Sequence, residues 1–210
     1  MLRILIADDH TVVRKGLKQI LLEEFPTAEI TETADASALF MKVLREEWDV
    51  VITDISMPDK SGLEVLQQIR RDQPRLPVLI LSAHSEDQYA IRALKAGASG
   101  YLCKDSASEE LVTAIRRILL GKKYITSSLA EKLAFHLDLD DSDRPPHEIL
   151  SDREFEVMKF LASGKVVSEI ASQLCLSVTT ISTYRARILT KMNLKTNYDL
   201  TRYAMENNLL

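Results

Sequence analysis

Apolar positions follow two different periods along the first 120 residues of the chain. Short apolar runs rich in β-branched residues, which are typical of buried strands, occur at 3–7, 28–33, 49–54, 77–82 and 100–103. Between and after these runs, apolar residues recur at helical spacing around 12–24, 36–47, 62–72, 86–96 and 108–120. This alternation predicts an α/β fold, a doubly wound five-stranded parallel sheet with helices on both faces.

The pattern changes after Gly121. A further helix is expected at 127–137, and residues 138–148 are then acidic, with two prolines and no periodicity, which predicts a linker. Beyond the linker only helical patterns remain, at 152–163, 166–174, 178–193 and 196–208. We therefore predict three parts: a first domain at 1–121, a helix and acidic linker at 122–148, and a small all-α domain of four helices at 149–210.

Residues with strong capping preferences mark several helix ends. Gly97, Gly121 and Gly164 stand where helices are expected to end, because glycine tolerates the left-handed conformation that closes a helix. Ser151, followed three residues later by Glu154, has the spacing of a capping box and predicts a helix that begins at 152.

Side chains that can carry chemistry stand at the ends of the predicted strands. The first strand is followed by Asp8 and Asp9, and the third ends in Asp54. The fourth ends in Ser82, and Lys104 follows the fifth. In a parallel α/β sheet the carboxyl ends of the strands meet at one edge, where ligands bind. Each residue alone is common in a turn or on a surface, but the five together predict one site.

The three carboxylates predict a bound cation, because clustered like charges repel each other without one. A ligand set of oxygens without His or Cys favours Mg²⁺ over zinc. A carboxylate can also act as a nucleophile and form an aspartyl phosphate, a transfer that depends on positioning and charge neutralisation. The site therefore predicts phosphoryl transfer to Asp54. Mg²⁺ would neutralise one side of the phosphoryl group and Lys104 the other, and Ser82 would donate a hydrogen bond to it.

Four motifs in this region, "ADDH" (7–10), "DISMPDKSGLE" (54–64), "LSAH" (81–84) and "GYLCK" (100–104), resemble the receiver domain of bacterial two-component response regulators. The resemblance covers residues 1 to about 121 and implies a flavodoxin-like sheet of order 2-1-3-4-5. It implies that Asp54 accepts a phosphoryl group from a sensor histidine kinase. Asp8, Asp9, Asp54 and the backbone carbonyl of Ser56 would then be the protein ligands of Mg²⁺.

The same resemblance implies a switch pair. Ser82 matches the hydroxyl residue that moves to the phosphoryl group, and Tyr101 matches the aromatic residue that follows it inward. Lys104 matches the family's lysine.

The last domain contains a predicted helix-turn-helix. A short helix at 166–174, a tight turn near 175–177 and a longer helix from 178 have the layout of this motif. Within the longer helix Ile181, Met192 and either Tyr184 or Ile188 can face the core. The outward positions are Ser182, Thr183, Arg185 and Arg187.

A basic stripe in this region predicts a polyanion partner. Residues 178–198 contain no acidic residue and four basic ones, Arg185, Arg187, Lys191 and Lys195, in a chain of net charge −4. A solvated helix face is the alternative explanation of the stripe. Short polar side chains followed by arginines suit contacts with base edges and phosphates of double-stranded DNA. The candidates for DNA contact are Ser182, Thr183, Arg185, Arg187 and Lys191.

The segments "LSDREFEVMKFLASGKVVSEIASQLCLS" and "TISTYRARILTKM" resemble the LuxR-type DNA-binding domain. Together with the receiver they make the chain similar to the NarL/FixJ group of response regulators. Many members carry a lysine or a similar residue where this chain has Ser182 and an asparagine where it has Val167, so Arg185 and Arg187 are the better candidates for DNA contact. An α-helical interaction module without DNA binding is the alternative.

Taken together, these patterns predict a phosphorylation-regulated transcription regulator, not an enzyme. Such domains bind paired DNA half-sites as two-fold dimers, so phosphorylation of Asp54 is expected to favour a homodimer that binds promoter DNA. One alternative is a Mg²⁺-dependent phosphatase that uses Asp54 on small substrates. Another is a regulator that works without phosphorylation and keeps the acidic site as a vestige.

Composition narrows the setting of the protein. The chain has 210 residues, of which 46% are hydrophobic and 28% charged, as is usual for soluble proteins. No apolar run approaches the roughly 20 residues needed to span a bilayer, and the first residues do not match a signal peptide. Cys103 and Cys175 lie far apart without metal-like or redox-like spacing. We therefore expect a cytoplasmic protein without membrane contact.

Overall fold

The computed structural model describes residues 1–57, 60–83, 86–137 and 145–210, with the backbone alone at 87, 88 and 135–137. Contacts within the chain define two units, Met1–Phe135 and His136–Leu210. Each unit has its own buried core.

The first unit alternates strands and helices, as the sequence predicts. Its strands are Arg3–Ala7 (β1), Glu29–Thr33 (β2), Val50–Asp54 (β3), Val78–Ser82 (β4) and Gly100–Cys103 (β5). Its helices are Thr11–Glu24 (α1), Ala36–Arg45 (α2), Gly62–Asp72 (α3), Glu86–Lys95 (α4) and Ala107–Leu119 (α5). A sixth helix, Ser127–Leu137 (α6), begins in this unit, and its last two residues fall in the second. Helix α2 ends before the predicted residue 47 because Glu46 has an extended backbone (φ −135°, ψ 155°).

The five strands form one parallel sheet of order β2-β1-β3-β4-β5. Strands β3 and β4 are buried at every residue, which explains their continuous apolar sequence. On one face the sheet packs with α1 and α5 around a core that includes Ile4, Ile6, Leu17, Leu21, Val50, Ile52, Leu79, Leu81, Leu111 and Ile115. The alternate strand residues Leu5, Val51 and Ile80 are also buried, so the opposite face is covered as well. The predicted doubly wound sheet is confirmed.

Residues 122–126 lie along the edge strand β5. The backbone N–H of Tyr124 donates to the carbonyl of Ser99 at 2.9 Å, and Oγ1 of Thr126 donates to Oε2 of Glu86 at 2.7 Å. These residues therefore pack with the first unit before α6 begins. Residues 138–144 of the predicted acidic linker lie outside the described residues, and Pro146–Ile149 form a 3₁₀ turn.

The second unit is helical in its described part. Its helices are Asp152–Ala162 (α7), Val167–Gln173 (α8), Val178–Lys191 (α9) and Asn197–Glu206 (α10). Helix α7 packs against α9 and α10, and α8 packs against α9. The core includes Phe155, Met158, Leu161, Ile170, Ile181, Ile188, Leu200 and Ala204. Between α8 and α9, Cys175 has a left-handed backbone (φ 53°), and the N–H of Leu176 returns to the carbonyl of Ala171 at 2.9 Å. The predicted helix-turn-helix is confirmed.

The predicted caps are also confirmed. Gly97, Gly121 and Gly164 have positive φ angles of 100°, 74° and 87° at the ends of α4, α5 and α7. Ser151 and Glu154 form the capping box of α7, with both reciprocal hydrogen bonds present. Among the helices of the described ranges, none combines the length and the apolar character needed to cross a membrane.

Candidate functional site

The three predicted carboxylates meet at one edge of the sheet. Parallel pairing of β1 with β3 places Ala7 opposite Thr53, so the residues that follow these two positions are neighbours. Asp8 and Asp54 are 1% and 2% exposed, whereas Asp9 is exposed. Buried carboxylates need a compensating cation, and the structure supplies one in Lys104.

Lys104 bridges the two buried carboxylates. Its Nζ lies 2.7 Å from Oδ2 of Asp54 and 2.7 Å from Oδ2 of Asp8. Burial lowers the pKa of Lys104, but the hydrogen bonds with Asp54 and Asp8 raise it by more, so the net shift of this pKa is upward. The ammonium is therefore held in its charged form, at the place where a transferred group would bring negative charge.

The two carboxylate oxygens of Asp54 differ in their contacts: Oδ2 accepts a hydrogen bond from Lys104, and Oδ1 has no hydrogen-bond partner among the described residues. Burial raises the pKa of Asp54, the hydrogen bond from Lys104 lowers it, and the charge of Asp8 raises it further, with an upward net shift. A backbone hydrogen bond from Ser56 also favours the ionised carboxylate. Within the described residues, the buried Oδ1 of Asp54 has no hydrogen-bond partner. A buried oxygen without a partner costs stability unless something else approaches it, such as a cation or a phosphorus atom.

The predicted switch residues are both fully buried. Ser82 ends β4, and Tyr101 lies on β5 opposite Ile80. A hydrogen bond joins the hydroxyls of Ser82 and Tyr101. Burial raises the pKa of Tyr101 further than this bond lowers it, so the phenol is neutral at physiological pH. The two side chains are thus coupled across neighbouring strands.

The acidic donors fit a divalent cation. One ligand atom from each of Asp8, Asp9, Asp54 and His10 lies within 4.8 Å of the others. The unpartnered Oδ1 of Asp54 and the carboxylate oxygens around it match the oxygen ligands that Mg²⁺ prefers. Ser56, the predicted fourth Mg²⁺ ligand, is exposed and lies two residues after the end of β3.

His10 belongs to this cluster, although sequence reasoning assigned it no role. Its Nδ1 lies 2.7 Å from Oδ1 of Asp9 and 3.2 Å from Oδ1 of Asp8. Its backbone N–H donates to the same oxygen of Asp8 at 2.8 Å. The available signal was its position directly after the two acids.

The predicted DNA-contact residues lie on α9. Ser182, Thr183 and Arg187 are exposed, as expected, while Ile188 rather than Tyr184 is the fully buried core residue. The hydroxyls of Ser182 and Thr183 donate to the helix carbonyls of Val178 and Thr179 at 2.9 and 3.0 Å. Contacts by these hydroxyls with an outside partner would compete with those internal bonds.

Two further candidates for DNA contact have internal partners. Nε of Arg185 donates to Oδ1 of Asn197, the first residue of α10, at 2.7 Å. Nζ of Lys191 lies 2.6 Å from Oε2 of Glu154, the acid that caps α7. Asn197 was missed by sequence reasoning because its contact joins two helices and leaves no periodic signal. Of the two arginines, Arg187 has the more exposed side chain.

Comparisons with known proteins agree with this geometry. Residues 4–116 match the family described as "Response regulator receiver domain", and residues 148–204 match "Bacterial regulatory proteins, luxR family". The oxygen regulatory protein NreC of Staphylococcus epidermidis is 36% identical over 216 residues, which cover 100% of this chain and 99% of NreC. The response regulator UvrY of Escherichia coli is 34% identical over 100% of this chain and 96% of its own.

A solved structure extends the likeness to both units. RcsB from Salmonella enterica serovar Typhimurium, bound to promoter rprA in the presence of the phosphomimetic BeF₃⁻, matches with a TM-score of 0.65 and 28% identity. The match covers 97% of this chain and 98% of that chain. This chain therefore belongs to the NarL/FixJ family of response regulators, and it is a phosphorylation-regulated, DNA-binding transcription regulator with a receiver domain and a LuxR-type helix-turn-helix domain.

Proposed function

We propose that Asp54 is the phosphorylated residue and that a phosphohistidine of a sensor histidine kinase is the donor. A carboxylate oxygen of Asp54 attacks phosphorus, the P–N bond breaks, and the imidazole nitrogen leaves and takes up a proton. The observation that carries this assignment is the buried Oδ1 of Asp54, which has no hydrogen-bond partner among the described residues while Lys104 holds Oδ2. One oxygen is thus oriented and the other is available.

Two positive groups, one on each side, neutralise the charge of the phosphoryl group. Lys104 donates from one side to a phosphoryl oxygen, as the contact of its Nζ with Asp54 supports. On the other side we propose Mg²⁺ held by Asp8, Asp9, Asp54 and the backbone carbonyl of Ser56. When bound, this cation neutralises part of the charge on the phosphoryl oxygens. The chain itself is an acceptor and not a turnover enzyme, although it can lose its phosphoryl group to water.

The output of phosphorylation runs through Ser82 and Tyr101. The Ser82 hydroxyl, now bonded to Tyr101, would turn to a phosphoryl oxygen, and the surface formed by 86–105 would change with it. We propose that this change favours a homodimer, in which the second DNA contact becomes intramolecular. In one solved RcsB structure, two RcsB dimers are bound to two parallel DNAs, which supports the proposal that this chain binds DNA as a homodimer.

The DNA contacts are assigned to α9. Arg187 is exposed, and the half-buried Arg185 donates to Asn197 at the start of α10. Lys191, Ser182 and Thr183 complete the proposed contact set. Because its kinase partner and its promoter DNA are both met there, we place the protein in the cytoplasm. We keep the functional division into a receiver at 1–121, a connecting helix and linker at 122–148, and a DNA-binding domain at 149–210.

Acetyl phosphate with Mg²⁺ is expected to add one phosphoryl group to the wild-type protein and none to Asp54→Asn. An amide oxygen is a far poorer nucleophile than a carboxylate, so the loss should be nearly complete. Intact-protein mass spectrometry measures the adduct. Asp72→Asn is the matched control, because Asp72 is an exposed acid at the end of α3 and should leave phosphorylation unchanged.

Three results would count against this assignment. An adduct of equal yield in Asp54→Asn would move the acceptor to another residue. No adduct in the wild-type protein would favour the regulator that works without phosphorylation. Turnover of small phosphoesters above the rate of self-dephosphorylation would revive the phosphatase alternative.

Arg187→Ala is expected to weaken DNA binding uniformly across sequences. The plot of log association constant against log salt concentration should become less steep by about 1, as for the loss of one phosphate contact. Fluorescence anisotropy of a short labelled duplex, titrated with the phosphorylated protein at several salt concentrations, measures this slope. Arg75→Ala removes an exposed arginine from the other unit and should leave the slope unchanged. An equal slope in Arg187→Ala and wild type would remove Arg187 from the interface.

A further inference from the structure

His10 occupies a position that its local structure does not explain. It is the N-cap of α1, where Ser, Thr, Asp and Asn are preferred because their side chains accept a hydrogen bond from the first turn. The His10 side chain makes no such bond. Instead its Nδ1 points at the carboxylates of Asp8 and Asp9, at 3.2 and 2.7 Å. The ring is thus used at the acidic site rather than at the helix end.

The spacing of the donors suits a single cation. Ligand atoms of one octahedral ion lie about 3–4 Å apart, given bonds of about 2.1 Å. Those of Asp8, Asp9, His10 and Asp54 all lie within 4.8 Å of one another, so small side-chain rotations would bring them to one centre. The His10 side chain is 65% exposed and has room to rotate.

A second observation points to a ligand at the same place. The Asp54 side chain is only 2% exposed, yet its buried Oδ1 has no hydrogen-bond partner among the described residues. The backbone N–H of His10 fixes one oxygen of Asp8, which holds the loop in the conformation that presents the ring. Both features prepare the cluster for a cation before one arrives.

A nitrogen ligand changes which cation the site favours. Carboxylates and carbonyls suit the hard Mg²⁺ ion, whereas imidazole suits borderline divalent ions of the first transition row. We propose that His10 is a nitrogen ligand of the receiver's divalent cation and biases the site towards Co²⁺ or Ni²⁺ relative to Mg²⁺. The inference rests on the proposed carboxylate cation site and adds one residue and a cation class to it.

The test uses the full chain and Mn²⁺ as the probe. Electron spin echo envelope modulation of bound Mn²⁺ detects a directly coordinated nitrogen, which is expected in wild type and absent in His10→Gln. Calorimetric titration at pH 8 should give a Co²⁺ affinity at least about tenfold lower in His10→Gln, because even the partners of metal ligands typically contribute that much. The Mg²⁺ affinity should change little. His147→Gln removes a histidine from the other unit and should behave as wild type.

The outcomes separate this inference from the proposed function. Bound Mn²⁺ without nitrogen modulation in wild type, or equal modulation in His10→Gln, would overturn the role of His10 and leave the carboxylate site intact. Absence of Mn²⁺ and Mg²⁺ binding by the wild-type protein would overturn the proposed cation site and, with it, the role of His10, whereas the phosphorylation of Asp54 is tested separately by its mass adduct. Loss of modulation together with a selective loss of Co²⁺ affinity supports His10 as a ligand.

Discussion

Gly62→Ala is expected to destabilise the receiver by about 3 kcal/mol and to abolish phosphorylation of Asp54. A Cβ on Gly62 would lie 1.9 Å from the backbone oxygen of Asp54 and 2.9 Å from its carbonyl carbon. Both contacts are with backbone, so no side-chain rotation can relieve them. Overpacking usually costs about 1–3 kcal/mol, and a clash with main chain belongs at the upper end. The relief that remains is a shift of the end of β3, which carries Asp54, the proposed phosphoryl acceptor.

Helix propensity does not offset this cost. Alanine gains at most about 1 kcal/mol over glycine inside a helix, and less at the first residue of α3, where Gly62 stands. The N–H of Gly62 also donates to the carbonyl of Ile55 at 2.8 Å, which ties the glycine to the loop after Asp54. A backbone shift that relieved the clash would disturb this hydrogen bond as well. The clash therefore dominates.

Gly16→Ala is the matched control. Gly16 lies inside α1, and a Cβ there would meet nothing within 4 Å. The same substitution should therefore stabilise the receiver, by up to about 1 kcal/mol. Trp48 is the single tryptophan of the chain and lies in the receiver, so urea unfolding followed by its fluorescence reports this domain. Equal stability of Gly62→Ala and wild type would contradict the predicted clash.

Most of the fold could be predicted because each element carries its own period. The apolar runs of β3 and β4 and the helical spacing of α1 and α5 are local, and the described helices and strands lie within two residues of the predicted bounds. The convergence of Asp8, Asp54 and Lys104 followed from a topological rule, since strands of one parallel sheet end at the same edge. What this rule does not give is the bridge that Lys104 makes between the two carboxylates.

The features that sequence reasoning missed are contacts between elements. Asn197 holds Arg185 across twelve residues, and Glu154 pairs with Lys191 across 37. Such pairs depend on how α7, α9 and α10 pack, which a single sequence does not encode as a period. The ring of His10 is different, because it is adjacent to the acids in sequence. Its position directly after Asp8 and Asp9 was the signal that could have identified it.

Lys104→Met is expected to have the second large effect, a loss of receiver stability on the scale of about 3–5 kcal/mol, as for breaking a buried ion pair by removal of one partner. Nζ of Lys104 lies 2.7 Å from an oxygen of both Asp54 and Asp8, which are almost fully buried. Methionine has a similar length but no charge, so it would leave two buried carboxylates facing each other.

The stability deficit of Lys104→Met should depend on pH in a definite direction. Burial already raises the pKa of Asp54 despite the opposing hydrogen bond from Lys104, so the folded receiver holds a proton at Asp54 more tightly than the unfolded chain does. Ionisation of Asp54 therefore costs stability as the pH rises through the interval between its unfolded and folded pKa values. Without Lys104 the pKa of Asp54 should rise further and this interval should widen upward. The deficit of Lys104→Met should thus be largest at neutral pH and shrink towards pH 5.

Mg²⁺ provides an independent check on the same carboxylates. A cation bound among Asp8, Asp9 and Asp54 supplies the positive charge that the variant lacks, so added Mg²⁺ should stabilise Lys104→Met more than wild type. Urea unfolding monitored at Trp48, at pH 7 and pH 5 and with or without Mg²⁺, measures both effects. Lys18→Met is the control, because Lys18 is 40% exposed and its pairing with Glu32 at 3.3 Å should be worth less than about 1 kcal/mol. A deficit in Lys104→Met that does not vary with pH or Mg²⁺ would mean that lost packing, rather than uncompensated charge, sets the cost.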